Sequence, residues 1–188
     1  GVGFLLKKIE KIENLKRTCG FEINDFAIKR SIQNTKKSDI FKKLENINFK
    51  FDLISMLHVV EHINDDDLSK LLLKIKNKLS NNGKILISTP AKNGLAHQIK
   101  KNDWIGFKDP THINLKNYGE WMTYFNKENL FVIKTFSDGL WDFPYGGIIN
   151  HLKYLKIYFV MLIQIFFGIL ILNHNQGETF IFILKKND

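Results

Sequence analysis

Apolar residues along this 188-residue chain recur in two periods, and the alternation between those periods predicts the elements. From Phe4 the apolar positions Phe4, Leu6, Ile9 and Ile12 fall among lysines and glutamates at near-helical spacing, which predicts a short helix directly after Gly1 and Gly3, ending near Asn14. TCGFEIN, residues 18 to 24, reads as a short strand ending in Glu22, and DFAIKRSI as the helix after it, capped by Asn24 or Asp25. Residues 33 to 50 are polar, with Asp39 in their middle, and predict a weak edge strand and a loop. Residues 51 to 57 form the best strand candidate. Leu68, Leu71, Leu72, Ile75 and Leu79 then keep to one helical face, with acids in the first turn, lysines in the last and Asn82-Gly83 as the stop. KILISTP, residues 84 to 90, is a buried-type strand closed by Pro90. Tyr118, Trp121, Met122 and Phe125 mark another amphipathic helix, and residues 131 to 136 and 179 to 186 mark two late strands.

Strands alternating with helices imply an α/β fold, its parallel sheet covered on both faces because parallel pairs need crossover connections. A hydrophobic content of 44% with 25% charged residues suits one soluble domain over residues 1–188. The formal charge of +9 comes mostly from scattered lysines; without an aromatic-studded basic motif, no nucleic acid partner is expected. A single cysteine, Cys19, excludes an internal disulfide, and with no signal peptide at the start the expected location is the cytoplasm. Residues 154–172, YLKIYFVMLIQIFFGILIL, are nearly a membrane span by composition. If the strands on either side pair in one sheet, both ends of an insert over 148–174 lie on one side of any bilayer, and a single crossing cannot do that. Three arrangements remain open: a helix in the membrane interface, with Lys153 and Lys156 at its start, a re-entrant turn broken near Gly168, or a patch buried against a second copy. The expected location therefore extends to the inner face of the membrane.

In open parallel sheets ligands bind beyond the carboxyl ends of strands, so the residues there carry the chemistry. Those residues are Gly1 and Gly3, Glu22, Asp39, His58 with Glu61 and His62, and the segment after Pro90. Glycines at a strand-to-helix turn admit a ligand to the backbone, and an acid some twenty residues on can take two ribose hydroxyls. Gly-x-Gly before a helix, GFEIN, Asp39, FDLISMLHVVEHI, LSNNGKILISTP and a late strand pair, in this order, resemble the class I S-adenosylmethionine-dependent methyltransferases. The branch that looks closest has Glu-His after its fourth strand and includes the ubiquinone-type O-methyltransferases.

The resemblance implies a Rossmann-like, doubly wound, mostly parallel sheet whose last strand is antiparallel, with the apolar helical insert before that strand. It implies S-adenosylmethionine as cofactor: Gly1 and Gly3 under the methionine moiety, Glu22 on the ribose, Ile23 against the adenine, Asp39 and Ile40 at the adenine edge, and Met56 and Leu57 on the methionine side. The family's first strand would lie before Gly1 and is absent here, so this chain as written is expected to bind the cofactor poorly. Glu61 and His62 are expected on the first turn beyond a strand, facing the crevice. Their roles stay open: Glu61 capping the next turn while His62 bonds a neighbouring loop, His62 or His112 removing the acceptor's proton, or His58, Glu61, His62 and His112 around a divalent ion. The catalytic candidates are thus Glu61, His62 and His112, and no resident metal is expected. Residues 100–121 and 137–147, rich in aromatic residues, suit a lid or acceptor pocket. The expected acceptor is a hydroxyl or amine of a small molecule or a glycan- or lipid-linked precursor. A non-catalytic scaffold at a membrane and a nicotinamide-dependent oxidoreductase are the other readings.

Overall fold

Strands β3 (Phe51–Leu57) and β4 (Leu79–Pro90) run parallel, and what lies between them is the crossover such pairing requires, a 3-10 turn and a long helix. The computed structural model describes residues 1–187, with only the backbone of residues 148–150. Two units are distinguished, Gly1–Phe49 and Lys50–Asp188.

In the first unit helix α1 (Phe4–Ile9) begins at Gly3 and helix α2 (Asp25–Asn34) is capped by Asn24, whose side chain accepts from Ala27 N at 3.0 Å. Gly3 has φ +86°, and a Cβ there would stand 2.9 Å from Ser31 Cα, so the turn needs glycine for conformation and for space. Helix α1 stops five residues short of the expected Asn14. The chain turns away at Glu10, whose carboxylate accepts from the amides of Lys36, Lys37 and Ser38 and from the Ser38 hydroxyl. Strands β1 (Cys19–Phe21) and β2 (Asp39–Phe41) pair in parallel. Asp39 was expected where a strand stops; it opens β2 instead, at the amino edge opposite Glu22, and is fastened there by Arg17 Nη2 at 2.7 Å.

The second unit carries a four-stranded sheet in the order β3-β4-β6-β5, with β5 (Leu130–Phe136) and β6 (Thr179–Lys186) antiparallel. Strand β6 is also antiparallel to β4, so the expected mostly parallel sheet with an antiparallel last strand is observed. Helices α3 (Asp65–Lys78) and α6 (Tyr118–Lys127) share one face of this sheet. Leu68, Leu72 and Ile75 of α3 and Trp121 and Phe125 of α6 close on Ile85, Ile87, Phe182 and Leu184. The α3 helix ends at Lys78 rather than at Asn82-Gly83, because Leu79 is already taken by the ladder opposite Phe51. A bulge then runs to Gly83, where a Cβ would stand 2.8 Å from Phe51 O. Strand β3 pairs only with β4 among the described residues, and Leu53 is exposed on it despite the buried-type sequence.

Residues 91 to 117 carry short helices α4 (Leu95–Lys100) and α5 (Ile105–Lys108). Helix α7 (Ile148–Lys153) leads into α8 (Leu155–Phe167), and the 91–117 segment with α8 and the 137–147 stretch builds a second core of Ala96, Trp104, Leu140, Tyr145, Met161 and Leu172. The aromatic segments expected to form a lid thus bury Trp104 and Tyr145 completely. Helix α8 breaks at Gly168, φ +64°, and the cause sits one turn earlier. Gln164, alone among apolar neighbours, accepts from Ile171 N and Leu172 N at 2.6 and 2.8 Å and returns the chain toward β6. Among the described residues no helix is long and apolar enough to cross a membrane.

Ile87 is fully buried between α3 and α6. Ile87→Ala is expected to lower the unfolding free energy by about 2–5 kcal/mol in urea titrations. Leu73→Ala, at a side chain 58% exposed on α3, should change it by no more than about 0.5 kcal/mol.

Candidate active site

At the carboxyl edge of the second unit's sheet the β3 ladder is extended by His58, whose amide donates to Ser88 O at 2.9 Å. The backbone of His58 then enters the left-handed region, φ +53°, and a 3-10 turn over Val60–His62 leads to Asn64, the cap of α3. Glu61 was expected to face the crevice and is fully buried instead. Its main-chain oxygen accepts from Asn114 N at 2.9 Å, which draws the 109–117 loop over the turn and removes its side chain from water. Asn114 Nδ2 continues this zipper to Ile63 O and Asp65 Oδ1. Asn64, rather than Glu61, caps the next helix.

The Glu61 carboxylate has one hydrogen-bond partner, His58 Nδ1 at 3.0 Å, and its Oε2 is buried without one. That bond raises the His58 pKa above its ordinary value against the opposing effect of burial, and the carboxylates of Glu61 and Asp138 add to the rise. Asp138 follows β5 and accepts from Thr179 N at 3.1 Å. Burial pushes its carboxyl up, while the nearby His58 pulls it partly back.

His62 and His112 are held through their other ring nitrogens. His112 Nδ1 lies 2.8 Å from Gly106 O, an atom that only accepts, so this nitrogen carries the proton. His62 Nδ1 lies 3.2 Å from Thr111 O and 2.9 Å from Thr111 Oγ1, and the Thr111 hydroxyl proton is already committed to Asp109 Oδ1. His62 therefore presents Nε2 as an acceptor, while His112 Nε2 faces the Asp109 carboxylate at 3.8 Å, and the two ring centroids lie 4.9 Å apart. Single ligand atoms of Glu61, His62 and His112 fall within 4.8 Å of one another, so the three candidates named from the sequence do converge.

Of the residues expected to hold a cofactor, Met56 packs in the core of the second unit, while Leu57 is exposed at the end of β3. In the first unit Glu22 stands at the carboxyl end of β1, its Oε1 accepting from Ile23 N at 2.8 Å and Asn24 N at 2.9 Å. The Gly1 amino group reaches its other oxygen. Ile23 is exposed and Ile40 half-buried.

Three site residues escaped the sequence reading. His58 entered it as a strand-end residue and a metal candidate but not as a base, although His-x-x-Glu spacing was visible. Asp138 and Glu178 reach this edge only through the pairing of β5 and β6. Glu178 precedes β6 and is buried, accepting from Trp104 Nε1 at 3.1 Å and from the Tyr145 hydroxyl. It thereby pins both aromatic segments to the sheet.

A family model described as a methyltransferase domain matches residues 1–135. No protein of curated function matches the chain. Three solved structures share its fold. A SAM dependent methyltransferase from Archaeoglobus fulgidus is 20% identical over 97% of this chain and 80% of that one, with a TM-score of 0.60. The plantazolicin methyltransferase BpumL, in complex with a triazolic desmethylPZN analog and SAH, is 17% identical over 100% and 74%, with a TM-score of 0.64. A TehB-like SAM-dependent methyltransferase from Corynebacterium glutamicum is 13% identical over 98% and 73%, with a TM-score of 0.57.

Burial pushes the Glu178 carboxyl up from 4.5 to about 6, against the hydrogen bonds from Trp104 and Asp142. A carboxyl raised on folding stabilises the protein fully below its unfolded value and loses that contribution as pH climbs through its folded one. Thermal melts are expected to fall between pH 4.5 and about 6 for the native sequence, and Glu178→Gln should flatten that slope.

Proposed function

We propose the following reaction for this chain, which belongs to the methyltransferase-domain family: a methyl group passes from S-adenosylmethionine to a hydroxyl or amine of a small-molecule, glycan-linked or lipid-linked acceptor. When bound, the donor supplies a sulfonium whose methyl is already activated. The protein's share is to align the reactants, exclude water and take the acceptor's proton. The observation that carries the reading is the carboxyl edge of β3 and β4, where Glu61, His62 and His112 converge and His62 Nε2 is left to accept. His62 and His112 serve the acceptor there, while the buried Glu61 holds His58. On the donor side, the left-handed turn at Gly3 and the amide-anchored carboxylate of Glu22 fit a ligand with paired ribose hydroxyls. Within the same unit, Gly1, Ile23 and Ile40 complete the donor's contacts. SAH bound to BpumL beside a desmethylPZN analog supports a donor of this type and a small acceptor.

A second reading concerns where the acceptor is met. Helix α8 and the return after it expose Phe159, Leu162, Ile165, Phe166, Phe167 and Ile171. Between Asp142 and Glu178 the chain has no acidic residue, while Lys153 and Lys156 stand at the start of the helix. An apolar surface with only positive charge at its margin fits the interface of an anionic membrane, and a lipid-linked acceptor would lie there. A second copy of the chain would meet the same positive margin on both sides, which favours lipid.

Two measurements test these readings. Calorimetry on this chain should detect weak S-adenosylhomocysteine binding, lowered a further roughly ten- to hundredfold by Glu22→Ala through loss of charge-assisted hydrogen bonds. Binding of reduced nicotinamide cofactor in its place would overturn the donor assignment. Flotation should recover the protein with phosphatidylglycerol vesicles and leave the Lys153→Glu, Lys156→Glu variant behind. Equal flotation of both would remove the electrostatic argument.

A further inference from the structure

We infer that His58 is the group that takes the acceptor's proton, with the buried carboxylate of Glu61 as the positioning residue behind it; this deepens, and rests on, the methyl-transfer reading. The bond between His58 Nδ1 and Glu61 Oε1, at 3.0 Å, decides the tautomer. A carboxylate only accepts, so Nδ1 carries the hydrogen and Nε2 keeps its lone pair. The His58 side chain is half-exposed while Glu61 is fully buried. This sets a dry orienting charge behind an accessible base.

The energetics point the same way. Glu61 has no hydrogen-bonded cationic partner among the described residues unless His58 is protonated, and an unpaired buried carboxylate is costly. Each proton accepted at His58 Nε2 turns that lone buried charge into an ion pair. Asp138, which follows β5, adds a second negative field at the same ring. The left-handed backbone at His58 is a further sign, since β3 could have continued without it and non-glycine residues held there are strained.

His62 and His112 lack this arrangement. Their Nδ1 atoms are spent on Thr111 and on Gly106 O, where they fix the 106–112 loop, and neither has a buried carboxylate behind it. They orient the acceptor. In the step itself, a lone pair on the acceptor oxygen or nitrogen attacks the methyl carbon of the sulfonium donor. The carbon–sulfur pair leaves with sulfur as a neutral thioether. The acceptor's proton passes to His58 Nε2 and from the imidazolium to water.

The test combines nitrogen-15 NMR of the histidine rings with methyl transfer from radiolabelled S-adenosylmethionine into a total cell extract. The Nδ1-protonated tautomer is expected at His58, lost from its fixed state in Glu61→Gln. His58→Asn should slow transfer roughly a hundred- to ten-thousandfold and remove the rising limb of the pH profile, while binding S-adenosylhomocysteine like the native protein. Glu61→Gln should move that limb to lower pH, which a purely structural role would not do. An Nε2-protonated His58, or a His58→Asn enzyme with native rate and pH profile, would overturn the inference. So would activity that a chelator abolishes and a divalent cation restores. Failure of S-adenosylhomocysteine to bind the native protein would instead remove the donor reading and leave the ring geometry to stand on its NMR result.

Discussion

A carboxylate withdrawn from water must find a charge or a hydrogen-bond donor nearby, and at Glu61 that requirement organises the active edge. The loop that buries it is held by main-chain bonds between Asn114 and the turn, and the same asparagine reaches Ile63 and Asp65 at the start of α3. One buried acid therefore fixes the imidazole before it, the helix after it and the loop that carries Thr111 and His112. Shifting His58 would leave both carboxylate oxygens of Glu61 without hydrogen-bond partners among the described residues.

The C-terminal half repeats this logic with other polar groups. Glu178 binds Trp104 and Tyr145 to the beginning of β6, and Gln164 bends an apolar helix back by satisfying the amides of Ile171 and Leu172. A run of apolar residues by itself sets no direction. A single amide or carboxylate inside it does, because only one path of the backbone satisfies that group. The resulting body exposes a largely apolar surface on α8 and the return after it.

Local signals in the chain were strong where one element decided its own fate. The i, i+3, i+4 spacing of Leu68, Leu71, Leu72 and Ile75 placed α3, and the run at 51 to 57 placed β3 with its bounds. Asn24 announced the start of α2 through the chemistry of its side chain. The readings failed where a residue's role depended on a distant partner. Leu79 keeps helical periodicity yet belongs to a strand, since Phe51 claims it. Asp39 opens its strand because Arg17 fastens it there. Met56 joined the core and Glu61 was buried for the same kind of reason.

The sequence by itself determined the alternation of elements, the parallel crossover between residues 51 and 90, the antiparallel closing strand and the residues that gather at the strand ends. Tertiary structure alone decided which of those residues are wet. Periodicity encodes which face of an element is apolar, a property carried within a few turns. Whether His58 or His62 has a buried carboxylate behind it depends on a loop that returns from fifty residues away, and no local pattern records the hydrogen bonds that such a return will make.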